Sequence, residues 1–101
     1  MRRLSRKDLN QNEIVSALQK AGCTVFDLSA VGSGMPDIIA GRAGVNYLLE
    51  IKCGSKLTDD QVDFHKTWEG QKAVVNNIDE ALQAVGLRLD YEYDLIRDTA
   101  F

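Results

Sequence analysis

The stretch that decides the fold runs from Gly34 to Lys52 and reads GMPDIIAGRAGVNYLLEIK. It holds two apolar runs separated by a Gly41 to Gly44 turn. Asp37 to Ala40 reads as the start of a short strand, and Asn46 to Cys53 as the strongest strand of the chain. Strand side chains alternate between faces, so Glu50 and Lys52 point one way while Ile51 points into the core. If the two strands pair through the turn, Asp37 comes to lie beside Glu50. Two carboxylates on neighbouring strands offer hard oxygen ligands of the kind Mg²⁺ or Mn²⁺ prefers. A lysine two residues along the same face then stands where it orients or deprotonates an attacking water, or stabilises phosphate oxygens. A metal in such a site acidifies a coordinated water and neutralises charge on a phosphodiester undergoing hydrolysis. The plainer alternative is a turn-starting Pro-Asp followed by the wet face of a strand. Against it, the charged residues interrupt a run (Tyr47, Leu48, Leu49, Ile51) that otherwise reads as buried.

Working outward, Asn10-x-x-Glu13 reads as a capping box, followed by Ile14, Val15, Leu18 and Ala21 at helical spacing and closed by Gly22. Cys23 to Leu28 reads as a strand, and Ser29 to Gly34 as a Gly/Ser loop. Thr58-x-x-Gln61 opens a second helix that ends at Gly70. Ala73 to Asn76 reads as a short buried strand, and Asn77-x-x-Glu80 opens a third helix closed by Gly86. The order α-β-β-β-α-β-α predicts an α/β or α+β domain, a mixed β-sheet flanked by helices. Beyond Leu87, apolar and charged residues alternate through Leu95, which fits an edge strand or a contact with a second subunit.

Composition bounds the function classes. The chain has 101 residues, enough for one core and one domain spanning 1–101. No apolar run approaches the roughly 18 residues of a membrane span. Cys23 and Cys53 form no Cys-x-x-Cys pair, and one histidine cannot complete a zinc site. A reducing, cytoplasmic location is expected. The net charge of -3 excludes a generic polycation, yet Arg2, Arg3, Arg6 and Lys7 fall in the first seven positions. A basic arm over residues 1–8 on an acidic body suggests an anionic partner. Lys56, Arg42 and Ser33, in loops near the two motifs, are further candidates for phosphate contact.

Taken together, Gly34-Met35-Pro36-Asp37 and Glu50-Ile51-Lys52 resemble the signature of the PD-(D/E)XK nuclease superfamily, whose core is the restriction-endonuclease-like fold. Within it the chain is most similar to the stand-alone VRR-NUC (virus-type replication-repair nuclease) domains. The resemblance runs from about Glu13 to Gly86. It includes Glu13, Leu57-Thr58-Asp59-Asp60-Gln61 and Ala73-Val74-Val75 in the corresponding order.

The resemblance implies a Mg²⁺- or Mn²⁺-dependent DNA endonuclease with no organic cofactor. Asp37 and Glu50 would be metal ligands, with the Ile51 backbone carbonyl a third and Glu13 a further candidate. Lys52 would be the catalytic lysine. Glu13 would bind or orient the attacking water, and Gln61 would support the site or touch substrate. For Glu13 and Gln61 a capping role is the competing explanation. Small stand-alone members look like Holliday-junction resolvases, so branched DNA is the expected partner. A homodimer would supply the two sites that symmetric cutting needs, and the likeness also suggests phage or viral replication and repair. Other readings are a nuclease of the same fold acting on flap, nicked or linear duplex DNA, a catalytically silent nucleic-acid-binding subunit, and a small interaction module.

Overall fold

The computed structural model describes residues 5–87 and has the element order α-β-β-β-α-β-α. Strands β1 (Thr24–Asp27), β2 (Ile38–Arg42), β3 (Val45–Ile51) and β4 (Lys72–Val75) form one mixed sheet in the order β1-β2-β3-β4. The first three are antiparallel. β4 pairs parallel to β3, after the crossover through helix α2 (Asp59–Thr67). This is the α+β mixed sheet the sequence predicts, and it is consistent with a restriction-endonuclease-like core.

The β2–β3 hairpin closes on Ala43 and Gly44, whose φ values of 51° and 82° are those of a two-residue primed turn. β2 therefore continues to Arg42, which pairs with Val45, rather than stopping at Ala40. That turn fixes the register. Ile38 pairs with Leu49, so one step further along the same ladder Asp37 faces Glu50.

One face of the sheet carries Ile38, Ala40, Leu49, Ile51 and Val75 and is buried under helices α1 (Arg6–Lys20) and α3 (Ile78–Ala84). Ile14 and Leu18 of α1 and Ala81 of α3 complete this core, together with Val85 just beyond α3. On the other face a row runs Phe26, Ile39, Leu48, Lys72, with Phe26 66% exposed. α2 buries no residue of its own. Phe64 and Trp68 stack with ring centroids 5.3 Å apart, and Trp68 remains exposed.

α1 begins earlier than expected. Its N-cap is Ser5, and the capping box is Ser5 with Asp8, not Asn10 with Glu13. Arg6 and Lys7 accordingly lie in the first helical turn and are not part of an arm. Arg2 and Arg3, and the alternating tail beyond Leu87, lie outside the described residues. The physical reason for the early start is that the inward stripe of α1 continues past its apolar part. Lys7, Asn10, Ile14 and Leu18 follow one another at helical spacing, and the two polar members find partners at the sheet end.

Candidate active site

Asp37 leaves the 28–37 loop exactly where β2 begins. Leu28 N–H donates to its carbonyl at 2.8 Å, which ties the loop back to β1. The Asp37 Oδ2 accepts from the backbone N–H of Ile51 at 2.7 Å, a charge-assisted bond that points the carboxylate across to β3. Glu50 is fully buried at the adjacent position of β3. Its Oε2 accepts from Gln61 Nε2 at 3.3 Å and lies 3.9 Å from Lys52 Nζ and 4.0 Å from Lys7 Nζ. Lys7 Nζ also reaches Asp37 Oδ1 at 3.3 Å. The Glu50 Oε1 is buried with no hydrogen-bond partner among the described residues.

Burial pushes the Glu50 carboxyl up to about 7 from its ordinary 4.5. The neighbouring Asp37 carboxylate adds to the rise, and Lys52 and Lys7 oppose it. A buried carboxyl beside a second one, with two ammonium groups close by, forms a polar site at the end of an otherwise apolar sheet.

Gln61 serves two structures with one amide. Its Oε1 accepts from Thr58 N–H at 2.9 Å, closing the α2 capping box, and its Nε2 donates to Glu50. The N-terminus of α2 is thus fastened to the site. A second fastening is steric. Gly34 has φ +79°, and a Cβ there would collide with the backbone carbonyl of Asp60. Gly34→Ala is expected to destabilise the protein by about 2 kcal/mol and to push α2, with Gln61, away from Glu50. Urea denaturation checks the first effect, and hydrogen exchange along α2 the second.

Asn10 and Lys7 were not read from the sequence as parts of this site. Asn10 Nδ2 donates to Lys52 O at 3.0 Å and Asn76 O at 3.1 Å, pinning α1 across the ends of β3 and β4. Their signal was available as the polar continuation of the Ile14/Leu18 stripe. Alongside them a groove of about 350 Å³ is lined by Lys7, Asp8, Gln11, Asp27, Ser29 and Asp37.

The structure does not bring every candidate together. Glu13 lies in the interior of α1, exposed, beside Asn12, Ser16 and Ile78 on the α3 side. Its shift follows from the earlier start of α1, which takes it out of the capping position. Arg42 is at the far end of β2, where its Nη1 donates to Val85 O at 3.1 Å and satisfies the end of α3. That places it about 16 Å along the strand from Asp37, at ~3.3 Å per residue. Ser33, with φ 56°, and Lys56 are exposed in the loops before Asp37 and after β3. His65 packs edge-on to Phe64 at 5.7 Å, and burial followed by the charge of Lys72 lowers its pKa. It belongs to the α2 packing.

The donor set fits a small hard divalent cation. It consists of oxygen ligands only, and one of them is a buried carboxylate oxygen that the protein leaves without a partner. Among the described residues no group of three or more acidic, histidine or cysteine side chains could hold a metal. Two carboxylates, Asp37 and Glu50, would therefore be the side-chain ligands, with backbone, solvent and substrate oxygens completing the set. Mg²⁺ is commonly held in this way.

A family model described as archaeal Holliday junction resolvase (hjc) matches residues 6–70. The match spans Lys7, Asp37, Glu50, Lys52 and Gln61 and stops before β4. The search of curated proteins found no match.

Proposed function

Because the chain belongs to the archaeal Holliday junction resolvase family, a PD-(D/E)XK-type nuclease family, we propose that it is a metal-dependent endonuclease that cuts phosphodiester bonds in four-way DNA junctions. The observation that carries the chemistry is the Asp37–Glu50 pair, with Lys52 on the same strand face and one Glu50 oxygen unpartnered. Asp37 and Glu50, with the Ile51 carbonyl, would hold Mg²⁺ or Mn²⁺. Such an ion, when bound, supplies charge neutralisation for the phosphate and acidity for water.

The remaining work falls to the chain's own residues. Lys52 Nζ, 7% exposed as a residue and 3.9 Å from Glu50 Oε2, is aimed by its strand and has little freedom to turn away. It orients the attacking water and stabilises the non-bridging phosphate oxygens. Gln61 holds Glu50 in place from α2, so it is a positioning residue. Arg2, Arg3, Ser33 and Lys56 would carry phosphate contacts, offsetting the acidic body.

Paired cuts on a four-way junction need two sites, which a C2 dimer supplies. The exposed Phe26, Trp68 and Val74 offer apolar surface for such a contact. The protein would act in a reducing cytoplasm as one domain spanning 1–101.

The deciding experiment uses an end-labelled synthetic four-way junction beside flap, nicked and linear duplex controls, with Mg²⁺, Mn²⁺ or chelator. Paired symmetric nicks on the junction that require metal are expected. Lys52→Ala should slow them by about 10²-fold with junction binding retained. Metal-dependent cutting confined to flap or linear DNA would keep the chemistry and overturn the junction assignment. Junction binding without any cutting would leave only a binding subunit.

A further inference from the structure

We propose that Lys7 is the site's resident counter-ion: it occupies the place of the divalent cation between Asp37 and Glu50, and it leaves when the cation enters. The inference rests on the metal-site reading above and goes beyond it by assigning a competitor built into α1.

Lys7 and Lys52 are not equivalent. Among the described residues the Lys52 ammonium pairs with Glu50, and its side chain is 8% exposed just beyond β3. Lys7 contacts both carboxylates, at 3.3 Å and 4.0 Å, and its side chain is 42% exposed. It projects from the first turn of α1, at the mouth of the groove lined by Asp37. A single ammonium touching oxygens of both carboxylates does what a bound cation would do, with one charge instead of two. It also has a route out, because a four-carbon stem on an exposed helix turn swings into solvent without disturbing the core.

Charge balance gives the exchange its direction. Asp37, Glu50, Lys7 and Lys52 sum to zero when all are ionised. That neutrality lets the carboxylates stay close without metal. A divalent cation added to all four raises the sum to +2, and Lys7 is then a like charge pressed against it. Withdrawing Lys7 leaves +1, which one phosphodiester anion neutralises. Lys52 cannot make this move, because its side chain is buried and its backbone N–H is tied to Val75 O at 2.9 Å. With Lys7 in place the cation meets a like charge 3.3 Å from Asp37 Oδ1, and the measured affinity is reduced by the stability of that ion pair.

The test is direct and needs no DNA. Mn²⁺ binding to the full-length chain is measured by isothermal titration calorimetry for wild type, Lys7→Met and Lys7→Gln, with Asp37→Asn as a control. Both Lys7 variants are expected to bind Mn²⁺ about tenfold tighter than wild type and to melt at a lower temperature in chelator. Unchanged or weaker Mn²⁺ affinity in both variants, with Asp37→Asn having lost binding, would overturn the exchange and leave the metal site standing. Wild-type Mn²⁺ affinity in Asp37→Asn would mean that the metal is not held by this pair, and the exchange would fall with that reading. Two variants are used so that a folding defect in one, visible by circular dichroism, does not decide the result.

Discussion

Replacing Glu50 with glutamine is expected to lower metal-dependent junction cutting by more than about 10³-fold and at the same time to stabilise the metal-free protein. The first effect follows from removing one of two carboxylate ligands while keeping the shape of the side chain. The second follows from burial. The Glu50 carboxyl is held at about 7 in the folded chain, against an ordinary 4.5. A raised acid keeps its proton in the native state over a range in which the unfolded chain has already released it. Native stability from Glu50 is therefore fully present below about 4.5 and is lost as the pH rises through about 7. Glutamine cannot ionise and escapes that loss. The stability gap between variant and wild type should open between pH 5 and pH 8, to a limit of about 3 kcal/mol without metal. Mg²⁺ should then stabilise wild type and not the variant. Urea denaturation at the two pH values, with chelator and with Mg²⁺, reads all of this. A gap that stays constant with pH would show that Glu50 does not ionise against its surroundings.

Ile51→Ala is expected to cost about 3–4 kcal/mol, a large share of the ~5–10 kcal/mol available to a domain of this size. Ile51 has no exposed surface, sits on the strand between β2 and β4, and belongs to the core formed with α1 and α3. Its backbone N–H still donates to Asp37 after the change, so the loss comes from the cavity and not from the site. The melting temperature should fall by roughly 15–25 °C. Val74→Ala, on the opposite face and 38% exposed, should cost less than about 1 kcal/mol. Calorimetry on the two variants compares the faces directly. Similar losses would mean that the second face is covered as well as the first.

The contrast between Ile51 and its neighbours also explains what the sequence made legible. The hairpin was readable because a short turn and period-two alternation determine a register, and that register alone sets Asp37 opposite Glu50. Gln61 was readable because its capping position is local. The start of α1 was not. Two successive signals, Ser5-x-x-Asp8 and Asn10-x-x-Glu13, lie within nine residues, and an apolar count stops at Ile14. The helix extends toward its N-terminus because Lys7 and Asn10 find partners 30 to 66 residues away, which no local pattern contains. Arg42 failed for a similar reason. A basic residue near a turn reads as a phosphate contact, and only the tertiary structure reveals the end of α3 waiting for it.

Asn10 carries a consequence for the nascent chain. Its amide bridges carbonyls at positions 52 and 76, so the helix bearing Lys7 is locked down only after β4 has been made and has paired. A ribosome that has released the hairpin alone presents the two carboxylates without that clamp. Non-local closures of this kind come late in folding. For a protein that cuts DNA, the order means that Lys7 reaches the carboxylate pair last, once the whole sheet is in place.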